Sequence, residues 1–433
     1  MPFEAQNNIP KKIAVIGGGI SGMGAAHRLS RSNRVTLFEA EPRLGGHART
    51  IVAGKRGDQP VDTGFLVFNY ANYPLMAELF AELDVPVVKS NMSFAASIKG
   101  GALEYGLASL GALFAQPRNA ANPQFLRMIR DILRFNKHGL AVAKSNPRLT
   151  IGAFLNKLGT GIYFRDYYLL PLSGAIWSTP IEKIMDFPAY SMMQFFENHA
   201  LLNTTGQHQW YTVQGGSIQY VQRLQAALTA RAVDLRLGAR VQCVARVGGT
   251  VQIKVEGAAR QSFDEVVFAT HSDDSLAMLG DPACEEALAL GAVKYQANEV
   301  VLHCDESIMP KRRKVWSSWN YTETSGKLAE QIDLTYWINK LQPVPMDDPH
   351  FVTLNSKRAI RDDCIYDQTV LRHPVYDLGA LDAQQKVRNF NGSRNTWFCG
   401  AWMKNGFHED GLASAVEVAD AILANDTAPI AAR

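Results

Sequence analysis

The sequence predicts an α/β fold of two interleaved domains, one built on a parallel sheet flanked by helices and the other α+β. Three observations carry that expectation. At 433 residues the chain is too long for one compact core. A strand, a glycine-rich turn, a helix and a second strand follow one another between Lys12 and Glu39. Buried-strand patterns return at residues 264–270 and 396–400, so a sheet begun early is completed late, with a second domain inserted between.

Composition narrows the class. The chain is 47% hydrophobic and 20% charged, which excludes disordered and fibrous proteins. A net charge of +3 gives no reason to expect a nucleic-acid partner. Five cysteines stand far apart and never as C-x-x-C, the usage of reduced thiols in a cytoplasmic protein. Ten dispersed histidines show no metal-ligand spacing, so no metal is expected. No run approaches the roughly 18–20 apolar residues of a spanning helix, and the polar start lacks the order of a secretory signal.

The N-terminal unit carries the first chemistry. Lys12 to Ile16 reads as a buried strand, followed by Gly17-Gly18-Gly19-Ile20-Ser21-Gly22. In this G-x-G-x-x-G, Gly17 makes the tight turn, Gly19 lets backbone approach a pyrophosphate, and Gly22 lets the helix pack on the strand. The amides from Ile20 and Ser21 onward and the positive end of the helix face the phosphates. A second strand ends at Glu39, 22 positions after Gly17, where a carboxylate can accept from ribose hydroxyls. This is a Rossmann-like dinucleotide-binding unit.

The next residues run Ala40-Glu41-Pro42-Arg43-Leu44-Gly45-Gly46-His47-Ala48-Arg49-Thr50. Here the sequence resembles the flavin amine oxidase, protoporphyrinogen oxidase and phytoene desaturase superfamily. The resemblance implies non-covalent FAD and an amine oxidase-like two-domain architecture. Glu41 and His47 depart from basic residues common in that superfamily, and Arg43 and Arg49 are candidates to restore the positive charge. Val61-Asp62-Thr63-Gly64-Phe65 and Leu66 resemble the loop over the flavin ring. Gln214-Gly215-Gly216-Ser217, with a helix to about Leu228, resembles a returning Gly-Gly element. Val241 falls where the adenine is bonded through main chain, and Ala269 ends a strand re-entering the cofactor domain. At the C-terminus a strand ends at Gly400, and Gly406-Phe407-His408-Glu409-Asp410-Gly411-Leu412 leads into a helix expected over Ala413 to Leu423. That resembles the family's terminal flavin element, though Ala401 stands where an acid is common. By this analogy residues 1–70, 210–286 and 385–425 form the FAD-binding domain, and 71–209 with 287–384 the substrate domain.

Matching the terminal motif places His408 before the flavin ring, as the leading acid-base candidate, with Glu409 second and Asp410 beside them. A histidine bonded to backbone next to the cofactor is the other reading. Cys399 does not match a cysteinyl-flavin position and reads as an inert buried thiol. No G-x-S-x-G elbow or G-x₄-G-K-[ST] loop occurs, which disfavours hydrolase and P-loop chemistry. A second nucleotide fingerprint is also missing, so oxygen is the expected electron acceptor rather than a docked nicotinamide.

From Arg118 to Arg148 there are seven Lys or Arg and one acid, Asp131. Arg127, Arg130, Arg134 and Lys137 form a stripe at helical spacing, with Phe125, Met128, Ile129, Ile132 and Leu133 expected opposite. Together with the apolar run before it, the stretch 103–148 fits a helix lying on the inner face of the cytoplasmic membrane. It fits equally a substrate-domain helix with a solvated basic face. Aromatic segments at 175–178, 195–196, 316–321 and 335–339 are candidates for core or substrate lining.

Ile176-Trp177-Ser178-Thr179-Pro180 and Ser318-Trp319-Asn320-Tyr321, taken with the motifs above, narrow the resemblance. They are similar to bacterial FAD-dependent fatty-acid desaturases of the furan fatty acid route. The resemblance implies a lipid or fatty acyl substrate, methyl-branched and phospholipid-borne, desaturated by hydride transfer to flavin N5. A flavin amine oxidase acting on a small amine and a flavin-dependent isomerase without net redox are the alternatives. A flavin-binding protein without catalysis is a third. The oligomeric state is not legible.

Overall fold

The computed structural model describes residues 9–177, 184–203, 206–324 and 331–427. Ser178, Thr179 and Pro180 of the narrowing motif lie outside the described residues.

Five parallel strands form the first sheet, in the order Thr396–Phe398, Glu265–Phe268, Lys12–Ile16, Arg34–Phe38 and Asp234–Arg236. A central parallel strand is covered on both faces, which is why Ile13, Ala14, Val15 and Ile16 are all buried. On one face Ile13, Val15, Leu37 and Val267 pack against helices Ile20–Leu29, Ile218–Ala230 and His408–Thr427. On the other, Ala14, Ile16, Phe38 and Phe268 meet a three-stranded antiparallel sheet spanning Val241 to Phe263 and helices Cys284–Ala292 and Leu378–Phe390.

Core membership does not follow the expected divisions at 70/71 and 384/385. Helix Pro74–Glu82 puts Met76, Leu79 and Phe80 into the first of these cores. Helix Leu378–Phe390 puts Ala380, Ala383 and Val387 into the second. In both cases the apolar face of a helix next to the domain crossing is claimed by the parallel sheet.

The inserted segments build a seven-stranded sheet in the order 365–375, 294–303, 351–354, 334–337, 319–322, 94–98 and 103–106. Its pairs are antiparallel except Trp319–Thr322 with Phe94–Ile98. The apolar run near 103–114 therefore divides between an edge strand, Leu103–Gly106, and a short helix, Leu110–Leu113. Helices cover one side of the sheet. The longest, Pro123–Lys144, starts where Asn122 Oδ1 accepts from the N–H of Gln124 and Phe125, with Pro123 at its first position. Phe125, Met128 and Phe135 fill the core beneath it with Phe154, Phe164 and Phe196. Leu133, expected on that apolar side, is 52% exposed and lies on the basic stripe instead. Among the described residues no helix is long and apolar enough to cross a membrane.

The terminal helix begins at His408, five residues before the expected Ala413. Asp410 Oδ2 accepts from the N–H of Asn405 and Phe407, which secures the turn ahead of it. His408, Glu409 and Asp410 thus sit in the first helical turn.

Candidate functional site

The glycines of the first turn divide by what surrounds them. A Cβ on Gly22 would lie 1.8 Å from the Gly17 carbonyl oxygen, and one on Gly18 would lie 2.6 Å from Leu44 Cδ2. Gly17 has φ +106 and a would-be Cβ 3.0 Å from the carbonyl oxygen of Ala269, so Ala269 acts here as a wall of the turn. Gly19 differs: its would-be Cβ meets only the Cα of Gly46, at 4.0 Å. A side chain there would fill the gap between the two glycine-rich segments, which Gly45 N joins by donating to Gly18 O at 2.8 Å. Across that gap the N-termini of two helices converge, since a Cβ on Gly411 would lie 2.9 Å from Ser21 Oγ and 3.1 Å from Ile20 Cγ2. Leu412 fills the space left by Gly24. Bare backbone beside two positive helix ends fits the pyrophosphate of a dinucleotide.

Glu39 closes the second strand, its Oε2 accepting from Gly18 N at 2.5 Å and its Oε1 from Glu41 N at 2.7 Å. Exposed Ala40 follows it. Val241 stands two positions beyond Ala239, whose N–H donates to Glu39 O at 2.8 Å. Its side chain is buried, so only its backbone is on offer to a base. Gly400 has φ +151 and donates its N–H to Ser414 Oγ at 2.9 Å, turning the last strand toward the terminal helix.

The two arginines expected to meet phosphate are engaged elsewhere. Arg49 forks onto Asp367 with contacts of 2.6 and 3.0 Å, tying the Gly-Gly loop to the seven-stranded sheet. Arg43 curls over its own loop, donating to the carbonyls of Gly46, Ala48 and Leu44, and pairs with Glu41 at 3.0 Å. Gly64 serves backbone packing, since its would-be Cβ lies 2.0 Å from His47 O. Phe65 N donates to the same carbonyl at 3.0 Å, and buried Leu66 accepts from Thr212 Oγ1 at 2.8 Å.

His408 lies with its ring stacked on Phe65, centroids 4.1 Å apart, and its Nε2 shares a 2.7 Å hydrogen bond with the Tyr220 hydroxyl. Burial lowers its imidazole to about 3, with His47 adding to the effect, so the ring is neutral at physiological pH. Glu409 does not orient it. Both Glu409 oxygens accept from the N–H of Leu75 and Met76 at 2.9 Å, anchoring the start of helix Pro74–Glu82. Burial raises the Asp410 carboxyl to about 6 and also raises that of Glu409.

His271 and His373, which meet His47, escaped sequence reading, as did the partners of Asp62. His47 lies 5.2 Å from the ring of His373 and 6.0 Å from that of His271, and burial depresses all three, to about 4, 3 and 3 respectively. Nothing in the spacing of residues 47, 271 and 373 joins them. Buried Asp62 accepts from Ser217 N and Oγ, Thr50 Oγ1 and Gln342 Nε2, so it fastens the loop after Arg49 to both domains. Its place within a quoted motif was the available signal. His271, Asp273 and Asp274 cluster closely enough to suggest a cation site, but Arg372 already pairs with both acids and offsets one of their two charges.

A cavity of about 250 Å³ opens beside the terminal helix, lined by Tyr73, Tyr190, Phe195, His199, Phe407 and Glu409 among others. Phe407 stacks on Phe195 at 4.7 Å, and Phe195 on His199 at 3.8 Å. Cys399 is buried in the core on the helix-covered face of the parallel sheet, and burial pushes its thiol up to about 12.

The whole architecture recurs in solved structures. Cyclohexylamine oxidase from Brevibacterium oxydans matches with a TM-score of 0.69 at 15% identity, covering 96% of this chain and 99% of that one. A fatty acid isomerase from P. acnes, described as CLA-producing, matches with a TM-score of 0.66 at 13% identity, covering 96% and 98%. At such identities the likeness is one of fold. Among characterised relatives, the hydroxyneurosporene desaturase of Cereibacter sphaeroides is 25% identical over 348 residues, 72% of this chain and 63% of that protein. The carotenoid phi-ring synthase of Chlorobaculum tepidum is 42% identical over 78 residues, 18% of this chain and 12% of that protein. The chain thus spans less than two thirds of the length of either. The model of the flavin containing amine oxidoreductases matches residues 20–343, most of the chain, and the chain belongs to that family.

Proposed function

We propose that this flavin oxidoreductase holds FAD non-covalently and desaturates a methyl-branched unsaturated acyl chain, with oxygen as the final acceptor. The observation that carries the reading is the state of the acids beside the terminal helix. Both oxygens of Glu409 and Oδ2 of Asp410 are spent on backbone N–H groups, while Phe407, Phe195 and Phe65 supply aromatic faces. Backbone N–H groups hold both carboxyls and burial pushes both toward the neutral form, so a cationic amine finds weak counter-ions here, whereas an uncharged chain needs none. A relative named as a desaturase along 72% of this chain supports the same reading. Cys399, held as a buried thiol, is unsuited to a covalent flavin link.

FAD, when bound, supplies a two-electron acceptor for hydride from a substrate carbon. With its Nε2–H donating to the Tyr220 hydroxyl and Phe65 fixing its plane, neutral His408 would take the proton from the neighbouring carbon on Nδ1. Loss of hydride and proton from adjacent carbons leaves a new double bond conjugated with the old one. Oxygen leaves with two electrons and two protons as hydrogen peroxide. The test is anaerobic mixing of the yellow protein with a methyl-branched monounsaturated phospholipid. Bleaching of the flavin band, then peroxide release on admitting air, is expected. Bleaching by an amine and not by lipid would move the assignment to amine oxidation, and lipid turnover without oxygen uptake to isomerisation.

A further inference from the structure

We infer that the exposed face of helix Pro123–Lys144 docks the protein onto an anionic phospholipid bilayer. The face is a single stripe of Leu126, Arg127, Arg130, Leu133, Arg134 and Lys137, all exposed. Leu126 is 44% and Leu133 52% exposed, seven residues apart and hence on one line, with Arg130 and Lys137 between and beyond them. Ile162, 69% exposed, stands next to this stripe, because Gly161 N donates to Asp131 Oδ2 at 2.9 Å and lies against Arg127. Asp131, the one acid of the helix, is buried beneath the face, where it lies 3.9 Å from Arg127 and 3.7 Å from Arg130 and offsets part of their charge.

The mixture of side chains selects the occupant. Single exposed leucines are ordinary on a solvated face, but here two stand in one line among four cations with Ile162 beside them. A second copy of the chain would set this cationic stripe against its like. Nucleic acid would use the charges but not the leucines, and the stripe carries no aromatic ring for stacking. A bilayer uses both, taking leucines at the acyl boundary and pairing arginines with headgroup phosphates. The buried side of the same helix continues inward through Phe135 and Phe196 to Phe195 and Phe407, which places the docking face behind the aromatic wall of the candidate site. The docking inference stands on the surface itself and goes beyond the acyl-chain reading, which can fail without it.

The test is co-flotation of the full-length, flavin-loaded protein with vesicles of phosphatidylcholine alone or with phosphatidylglycerol added. Partition into the anionic vesicles is expected, weakened by salt, and weak for phosphatidylcholine alone. Each cation removed costs roughly fivefold in partition, so Arg134→Glu with Lys137→Glu, away from Asp131, loses binding outright. Leu126→Ser with Leu133→Ser weakens it by about tenfold, with the flavin spectrum and melting temperature unchanged in both variants. The inference is overturned if the wild type stays with the aqueous layer, or if the leucine variant floats as well as wild type. Stripping of the bound protein by polyuridylate, with the leucine variant unaffected, would assign the face to nucleic acid and overturn it equally.

Discussion

Asp62 and Gln342 exchange two hydrogen bonds across 280 residues, Asp62 N donating to Gln342 Oε1 at 3.0 Å and Gln342 Nε2 to Asp62 Oδ2 at 2.7 Å. The same carboxylate accepts from the N–H and hydroxyl of Ser217. Replacing it by asparagine would set an amide donor against donors. Asp62→Asn is expected to lower unfolding stability by about 2–4 kcal/mol, read from denaturant midpoints. Gln342→Ala should cost less, since Asp62 keeps its other partners.

Gly19 and Gly22 should separate folding from cofactor capture. Gly22→Ala drives a methyl into the Gly17 carbonyl and is expected to give little folded protein. Gly19→Ala meets nothing nearer than 4.0 Å and has a side-chain-compatible φ of −75, so it should fold normally. Its methyl would occupy the gap facing Gly46, and the purified variant should come out colourless. A yellow, fully loaded Gly19→Ala protein would remove the nucleotide from this turn.

Removing the imidazole should act on chemistry. His408→Asn is expected to lower the rate of flavin reduction by roughly 10²–10⁴-fold, with FAD content preserved. Tyr220→Phe leaves the ring in place and removes only its partner, so a smaller loss is expected. Stopped-flow reduction separates the two. Equal rates in His408→Asn and wild type would retire His408 as proton acceptor.

Acid should unfold this protein early. Burial depresses six histidines, at 47, 199, 271, 303, 373 and 408, to about 3 or 4. The unfolded chain takes up protons below about pH 6.5 while these folded imidazoles do not, so stability falls as pH drops from there toward 4. Asp62 and Asp410, raised to about 6, act in the opposite sense but are outnumbered. His303 is fully buried, with Nδ1 accepting from Asp305 N and Nε2 bonded to Thr353 Oγ1. His303→Gln should therefore flatten the pH dependence by about 2 kcal/mol between pH 7.5 and 5, measured by denaturant titration at each pH.

Much of the parallel sheet is legible in order. Lys12–Ile16 forms as a strand with its expected ends, and 34–39, 264–270 and 396–400 each yield a strand one or two residues shorter at one or both ends. Local signals suffice there because apolar runs and glycine turns are contiguous. What escaped depends on partners far away in sequence. Arg49 looks free for phosphate until Asp367 is folded beside it, and Glu409 looks free to orient His408 until helix Pro74–Glu82 presents its amides. Leu133 stands three residues after Arg130 and four before Lys137, so the helical period itself carries it to the basic stripe, where it is 52% exposed. The histidines at 47, 271 and 373 meet only because three separate segments end at one place.

The closeness of Gly411 to Ser21 and Ile20 brings two turns far apart in the sequence to one spot. On the ribosome the turn at Gly17–Gly22 is made first and must wait until the segment around Gly411 emerges. Cofactor uptake should therefore follow the emergence of helix His408–Thr427, and a nascent chain arrested before it should carry no colour.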